Sequence, residues 1–381
     1  MTARRFLILS AGMGSGHDAV AAVLAARLEN AGCETVRADV LQLLPGGIGS
    51  TLRAAYRTVI ERLPLLYAGV YRAFFREGRV LRPGSAPLAA LAEDRLLELA
   101  RRHRADVVVS VFHLGAQVTG RLRARGTLPI PSAVVMTEFE AHRQWLHPAN
   151  DLYLCHTEEI AAGIRHGTGC PAAGTGPLVD ARFSDAGLAS YSEGAERWRR
   201  RLTPEGRPLV LLSTGAWGIG SSLARTAALL GRAGYAPAVL CGQNERLRRR
   251  LSTVERVTAQ GWVDDMPALM RAADALVDNA AGQTAMEALA VGLPVIGYRP
   301  IPGHGADGVR LMARLRLSDY ARDADELLGS LRTLTRPGAA REHRVAAGRA
   351  VFRPDAISVL ANLVHRDRAR DDPAWTMGRS S

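Results

Sequence analysis

The sequence predicts an α/β protein with two doubly wound, Rossmann-like domains that face each other across a cleft. Short, nearly continuous apolar runs alternate with amphipathic stretches, as is typical of parallel strands covered by helices on both faces. The pattern of strand, glycine-rich loop and helix also occurs twice, beginning near residues 5 and 208. Because ligands bind at the carboxyl ends of strands in such sheets, the cleft is the expected site.

Apolar runs and helical periodicity predict the elements in order. In the first half, we expect helices at Asp18–Ala31 and Ala116–Arg125, and strands at Arg5–Leu9, Glu34–Asp39, Ala105–Val111, Ser132–Met136 and Asp151–Cys155. In the second half, we expect strands at Pro208–Ser213, Ala236–Cys241, Val257–Gln260, Ala275–Val277 and Pro294–Tyr298. Each apolar run has the length of a buried strand.

A polar stretch between the halves sets the predicted domain boundaries. The length of 381 residues fits two domains. We expect an acceptor- or membrane-facing N-terminal domain at 1–182, a linker at 183–207 and a C-terminal domain at 208–365. The charged, proline-containing tail at 366–381 is expected to be disordered.

Composition limits the cellular setting and the partners. No apolar run approaches the roughly 20 residues that span a bilayer, and the first apolar run leads into a glycine loop rather than a cleavage site, so a cytoplasmic protein is expected. The four cysteines are widely spaced and predict neither disulfides nor a metal site. The net charge of +12 favours anionic partners, although the arginine content equally fits a GC-rich coding sequence. No nucleic-acid-binding module is present, so no nucleic-acid partner is expected.

The segment Ile48–Leu81 interrupts the α/β alternation. It interleaves arginines with aromatic residues, which include Tyr67, Tyr71, Phe74 and Phe75. Helices of this composition lie at bilayer interfaces, where arginines meet lipid phosphates. An amphipathic helix docked on the first domain, with a solvated arginine face, is the alternative interpretation.

The two glycine loops are candidate ligand-binding elements. In the first, Gly16 and His17 follow the first strand, and His17 is placed to orient or deprotonate a hydroxyl. A helix-start histidine without chemistry is the alternative. The second loop carries Gly215, Gly218, Gly220 and Ser221, and a helix opening at Ser221 would stabilise a diphosphate. A simple tight turn is its alternative.

A third motif is the most informative. It contains a glycine turn that opens a helix, followed by an acid one turn in, Glu287, whose carboxylate is suited to accept hydrogen bonds from two ribose hydroxyls. The alternative is a charge that complements the helix dipole. The other candidate ligand-binding residues of this motif are Gly261, Val263, Met266, Gly282, Gln283 and Thr284.

Together these motifs resemble the two-domain glycosyltransferases of the GT-B fold. The resemblance covers residues 5–325 and is specific to the monogalactosyldiacylglycerol synthase and processive diacylglycerol glucosyltransferase group, which is related to MurG. Further motifs that carry it are Val109–His113, Thr137–Phe139 with His142 and Trp145, Cys241–Asn244, and Pro300–Gly303.

The resemblance implies an inverting transfer of a hexose from UDP-galactose or UDP-glucose to a lipid such as diacylglycerol, at the cytoplasmic membrane surface. It implies no tightly bound cofactor and no metal, because helix N-termini and backbone donors stabilise the leaving diphosphate. The C-terminal domain would hold the nucleotide. The implied catalytic base is His17, with Glu138 second, and the implied acceptor or membrane residues are Gly16, Tyr67, Tyr71, Phe74, Phe75, His113 and His142.

Three departures from the family pattern leave parts of this interpretation open. Glu138 replaces an aspartate, Leu114 replaces a proline, and Gly303–Gly308 replaces a loop whose glutamine and asparagine touch the donor sugar. The identity of the sugar is therefore open, and His304 is the expected contact for a sugar hydroxyl or the diphosphate. A soluble acceptor, or a homologue that binds a nucleotide sugar without turnover, are the competing functions.

Overall fold

The computed structural model describes residues 3–74, 85–184, 191–353 and 356–370. In its first half, the strands are β1 Arg5–Ser10, β2 Glu34–Asp39, β3 Val107–Ser110, β4 Ser132–Val135, β5 Leu152–Cys155 and β6 Ala172–Gly174. The helices are α1 Ser15–Asn30, α2 Ile48–Arg62, α3 Pro64–Phe74, α4 Ala86–Arg102, α5 His113–Ala124 and α6 Glu158–Thr168.

The second half repeats this alternation. Its strands are β7 Leu209–Ser213, β8 Ala236–Leu240, β9 Thr258–Gln260, β10 Ala275–Asp278, β11 Val295–Tyr298 and β12 Asp319–Ala321. Its helices are α7 Ser192–Leu202, α8 Leu223–Arg232, α9 Glu245–Leu251, α10 Met266–Ala272, α11 Gln283–Val291, α12 His304–Arg314, α13 Ala324–Leu334, α14 Ala339–Arg349 and α15 Ala356–Arg370.

The described strands form two parallel sheets of six strands each. Their orders are β2-β1-β3-β4-β5-β6 and β12-β11-β10-β7-β8-β9. In each sheet, the first strand of its half, β1 or β7, lies inside the sheet, and the glycine loop follows its carboxyl end. The predicted pair of doubly wound sheets is confirmed.

Strand β1 shows why the apolar runs are nearly continuous. Phe6 and Ile8 pack on one face of the sheet with helix α1, whereas Leu7 and Leu9 pack on the other face with α4 and α5. Because both faces of this strand are covered, its side chains are apolar on both faces. In a half-exposed strand, by contrast, every second residue is polar. The edge strand β2 is less buried, and its sequence is correspondingly more polar.

The last helix corrects two predictions. Ala356 and Leu360 of α15 are buried with Phe6 and Ile8 in the N-terminal core, so this helix packs with the N-terminal sheet although it lies in the range 208–365 assigned to the C-terminal domain. Residues 366–370, assigned to a disordered tail, continue this helix. The remainder of that tail, 371–381, lies outside the described residues. The other boundaries stay predictions.

Because Leu360 is fully buried in the N-terminal core, we expect Leu360→Ala to lower the free energy of unfolding by about 2–5 kcal/mol, as large-to-small core substitutions do. Chemical denaturation monitored by circular dichroism measures this loss. Ser358→Ala, which changes an exposed position of the same helix, is the matched control. Equal stabilities of Leu360→Ala and the unmodified protein would show that α15 does not stabilise the N-terminal domain.

Candidate functional site

A cavity of about 760 Å³ lies between the two domains. Its C-terminal wall follows the carboxyl ends of β7 and β8 and includes the start of α11, and its N-terminal wall includes helix α1. A β-carbon built on Gly16 would lie 3.6 Å from Cβ of Gln283, so the first glycine loop meets the start of α11 directly. Gln283 also donates a 3.0 Å hydrogen bond to the carbonyl of Leu178.

Glu287 lines this cavity one turn into helix α11. Burial raises the pKa of its carboxyl to about 8, and Arg182 across the cleft opposes that shift. At pH 7 the carboxyl group is therefore largely protonated. Gln283 and Thr284 line the cavity beside it, as do Gly261, Val263 and Met266 from the preceding motif.

The second glycine loop forms another part of the wall, through Gly215 and Ala216. Gly242 has a φ of 57°, and a β-carbon there would overlap the carbonyl oxygens of Gly215 and Ala216, so glycine is needed at 242 for the two loops to touch.

The helix after this loop begins later than predicted. Helix α8 starts at Leu223, not Ser221, and Ser222 before it has a φ of 53°. Gly218, Gly220 and Ser221 are not among the residues that line the large cavity, whereas Ser221 lines a small crevice beside Asp278 and Asn279. The structure therefore brings Gly215, but not the helix start, to the cavity wall.

Several cavity-lining residues were absent from the sequence-based site. Trp262 is exposed at the rim, and its indole N–H donates a 3.0 Å hydrogen bond to Asp264. Trp262 lies within the motif that contains Gly261 and Val263, but the sequence does not show that its ring is exposed at the cavity. The N-terminal domain contributes Arg27, Asn30 and Arg182, for which no local pattern exists because their placement depends on how the domains meet.

His17 lies at the start of α1, next to the contact between the domains. Its Nδ1 is 3.0 Å from the carbonyl oxygen of Val111 and 2.9 Å from the hydroxyl of Thr137. A carbonyl oxygen only accepts hydrogen bonds, so Nδ1 carries the proton and Nε2 has a free lone pair. Burial lowers the pKa of His17, although Glu138 opposes this shift. His17 is therefore a neutral imidazole at pH 7, with one basic nitrogen.

Glu138 is an ionised carboxylate that lies close to His142 and Trp145. Burial alone would raise the pKa of its carboxyl, but the hydrogen bond from His142 and the nearby histidines lower it overall, well below its usual range. Its Oε2 lies 3.3 Å from Nε2 of His142 and 3.4 Å from Nε1 of Trp145. A carboxylate this acidic is a weak proton acceptor at neutral pH.

Three of the other predicted acceptor residues, His113, His142 and Tyr71, lie near this carboxylate. The ring centroids of His113 and His142 are 5.4 Å apart, and those of Tyr71 and His142 are 6.2 Å apart. Burial, reinforced by His142, lowers the pKa of His113 well below its usual value. From the C-terminal domain, His304 joins them, with its Nδ1 2.6 Å from the hydroxyl of Tyr67.

Helix α3 differs from the membrane-facing arrangement expected for its aromatic residues. Tyr67 and Tyr71 are only 7% and 2% exposed, because they pack in the cleft against the C-terminal domain. The side chain of Phe74, at the end of the helix, and the whole of Phe75 lie outside the described residues. Among the described side chains of α3 and of the residue before it, the exposed large apolar ones are instead Leu63, Leu66 and Val70.

The described residues bear on metal binding and on membrane insertion. They contain no group of three or more histidine, cysteine or acidic side chains placed to hold a metal ion. None of the described helices is both long enough and apolar enough to cross a bilayer.

The amino-acid sequence is similar to those of known proteins. Residues 17–171 match the family model described as monogalactosyldiacylglycerol (MGDG) synthase. The processive diacylglycerol beta-glucosyltransferase of Bacillus licheniformis is 24% identical over 351 residues, which cover 87% of each chain. Its counterpart in Bacillus subtilis strain 168 is 25% identical over 348 residues, again with 87% of each chain covered.

Solved structures match along nearly the whole chain. Acinetobacter baumannii MurG superimposes with a TM-score of 0.58 at 16% identity, covering 96% of this chain and all of that one. The calicheamicin glycosyltransferase CalG4 gives a TM-score of 0.56 at 12% identity, covering 98% of this chain and all of that one. The predicted GT-B fold is thereby confirmed. The chain has the GT-B fold and resembles the MGDG synthases and the processive diacylglycerol glucosyltransferases.

Proposed function

We propose that this protein is a glycosyltransferase that moves a hexose from UDP-glucose or UDP-galactose to the hydroxyl of a lipid such as diacylglycerol, with inversion at the anomeric carbon. One observation carries the proposal. A cavity with an acid, Glu287, in one wall adjoins His17 of the opposite domain, whose Nδ1 is held by the Val111 carbonyl, so that Nε2 can accept a proton.

The nucleotide would occupy the C-terminal side of the cavity. Glu287 would accept hydrogen bonds from the two ribose hydroxyls, beside Gly282, Gln283 and Thr284. The base would lie against Gly261, Val263 and Met266, near the exposed ring of Trp262. The diphosphate would lie at the Gly215 loop, where backbone N–H groups stabilise negative charge without a metal. Gly218, Gly220 and Ser221 would support this loop.

The chemistry would be a single displacement. Nε2 of His17 takes the proton from the acceptor hydroxyl as its oxygen attacks the anomeric carbon. The bond from that carbon to the β-phosphate oxygen breaks, and UDP leaves with the bonding electron pair. Glu138, ionised and close to the histidines, stabilises the imidazolium that forms.

The direct test is turnover with defined donors and acceptors. The protein is incubated with vesicles that contain diacylglycerol together with one donor, either UDP-glucose or UDP-galactose, in separate reactions. The lipids are then analysed by mass spectrometry. We expect a hexosyl lipid and one equivalent of UDP per sugar transferred. UDP binding without any hexosyl product would support a non-catalytic homologue, and transfer only to soluble hydroxyl compounds would support a soluble acceptor.

Exposed apolar side chains on and just before helix α3 favour a lipid acceptor over a soluble one. Leu63, Leu66 and Val70 are 50%, 52% and 40% exposed and recur at helical spacing, with Arg62 and Arg72 exposed near them. An apolar stripe flanked by arginines fits the interface of an anionic bilayer, with the protein bound peripherally.

We expect the double substitution Leu63→Glu/Leu66→Glu to weaken binding to anionic vesicles at least about tenfold, because two apolar contacts become charges that anionic lipid repels. Vesicle co-sedimentation measures the change. Leu91→Glu, which alters a leucine 46% exposed on helix α4, is the matched control and should bind normally. Unchanged vesicle binding by the double variant would exclude this stripe as the membrane contact.

A further inference from the structure

Helix α3 has one face in the cleft and another in solvent. Tyr67 and Tyr71, one turn apart, point into the cleft, whereas Leu66 and Val70 are exposed. Tyr67 packs with Ile60 of α2, and together they contact Ile219 and Ile301 of the C-terminal domain. Helix α3 thus places tyrosine hydroxyl groups of the N-terminal domain against a loop of the C-terminal domain.

The closest of these contacts joins Tyr67 to His304. The phenol oxygen is 2.6 Å from Nδ1, and the two rings are nearly perpendicular, at 86°. Gly303, just before His304, has a φ of 87°, and a β-carbon there would lie 2.8 Å from Cγ of Tyr71 and 3.0 Å from Cε1 of Tyr67. A glycine at 303 is therefore what allows the tyrosines to reach the loop.

The direction of this hydrogen bond follows from acid–base chemistry. A phenol O–H is more acidic than a neutral imidazole N–H, and an imidazole nitrogen is the better acceptor, so Tyr67 donates and Nδ1 of His304 accepts. Tyr67 also forms a hydrogen bond with Tyr56, and because the one phenol proton of Tyr67 goes to His304, Tyr56 is the donor in that bond. Burial raises the pKa of Tyr67 far above its usual value, so its proton stays in place.

The tautomer of His304 is then fixed. Burial lowers the pKa of His304, so its ring is neutral at pH 7, and with Nδ1 as acceptor the single proton lies on Nε2. His17 has the opposite arrangement, because its Nδ1 donates to Val111 and its Nε2 is the free acceptor. The cleft therefore combines one histidine suited to take a proton with one suited to donate a hydrogen bond.

We infer that Tyr67 is a positioning residue, which holds His304 as an Nε2–H donor for the sugar or β-phosphate oxygens of the bound nucleotide sugar. The inference rests on the proposed function for its ligand, but the tautomer is a property of the free protein. In this arrangement, Tyr67 on helix α3 of the N-terminal domain sets the geometry of the contact between His304 and the nucleotide sugar.

The tautomer is tested without ligand by nitrogen-15 NMR of the histidine side chains, with His304 assigned from the signal missing in His304→Gln. We expect the Nε2–H form for His304 and the Nδ1–H form for His17. In Tyr67→Phe, we expect the His304 signals to move toward a mixture of tautomers. A pure Nδ1–H form of His304 in the unmodified protein would overturn the inference.

Binding is tested by calorimetry with UDP-glucose, UDP-galactose and UMP. We expect Tyr67→Phe to weaken UDP-sugar binding about three- to tenfold, the size of one hydrogen bond, and to leave UMP binding unchanged. In a His304→Gln background, the amide has no tautomer to fix, so Tyr67→Phe should then change UDP-sugar binding less than about twofold. Tyr235→Phe, in the C-terminal core, is the control for loss of a tyrosine hydroxyl.

Two results would overturn the inference: equal weakening of UMP and UDP-sugar binding by Tyr67→Phe, or the same loss with and without His304. If no uridine ligand binds the unmodified protein although His304 has the Nε2–H form, the proposed function fails, while the positioning of His304 by Tyr67 is supported.

Discussion

Replacement of His17 by alanine is expected to lower kcat for hexose transfer by about 10²–10⁴-fold, the usual contribution of a positioned general base. UDP affinity should not change, because His17 is not among the residues that line the large cavity. His166→Ala, at an exposed position of α6, should leave both quantities unchanged. Initial rates at saturating donor, with calorimetry on the same preparations, measure the two effects separately.

The pH profile gives an independent test of the same role. The reaction requires neutral His17, and burial lowers the pKa of His17 below its usual value of about 6.5. At saturating donor, kcat should therefore be more than half of its plateau value at pH 6.5 and fall to half only below that pH. A half-maximal kcat at or above pH 6.5, or a kcat for His17→Ala within about threefold of normal, would exclude His17 as the base.

Replacement of Glu287 by alanine is expected to weaken UDP binding by about 10- to 100-fold, because hydrogen bonds to a charged group contribute about 1.5–3 kcal/mol. Glu287→Gln should lose less, since its amide oxygen still accepts one hydrogen bond. Isothermal calorimetry at pH 8.5 measures these affinities. Glu342→Ala, at an exposed position of α14, is the control.

Proton release identifies the contribution of Glu287 more specifically. In the free protein, its pKa is raised to about 8 by burial, and two ribose hydroxyls donate to the ionised form. UDP binding should therefore release protons below pH 8, and UDP affinity should fall as the pH is lowered, by at most about tenfold per pH unit. Calorimetry in buffers of different ionisation enthalpy measures the release. Equal proton release by Glu287→Gln would show that another group titrates.

Local patterns explain which parts of the fold were predictable. The strands at Arg5–Ser10 and Leu209–Ser213 are buried on both faces, so their apolar runs are unbroken and the two halves were recognisable. Helix α4 and the short edge strands β6 and β12 were not predicted from the sequence. The edge strands contain three residues each, too few for a periodic signal.

The site was predictable where its residues lie within one motif. Glu287 and Thr284 line the same cavity because they share the first turns of α11. The contact of Tyr67 with His304 joins residues 237 positions apart in the chain, so no local spacing indicates it. The return of α15 to the N-terminal core and the placement of Arg182 opposite Glu287 likewise depend on tertiary packing.

In the proposed mechanism, His17 activates the acceptor hydroxyl directly for a single displacement. The anomeric configuration of the hexosyl lipid, determined by NMR on product made from an α-linked UDP-hexose, tests it most directly. We expect only the β-linked product, because one attack on the anomeric carbon inverts its configuration. An α-linked product would require a second displacement or a different geometry of attack, and would contradict the assignment of His17 as the base.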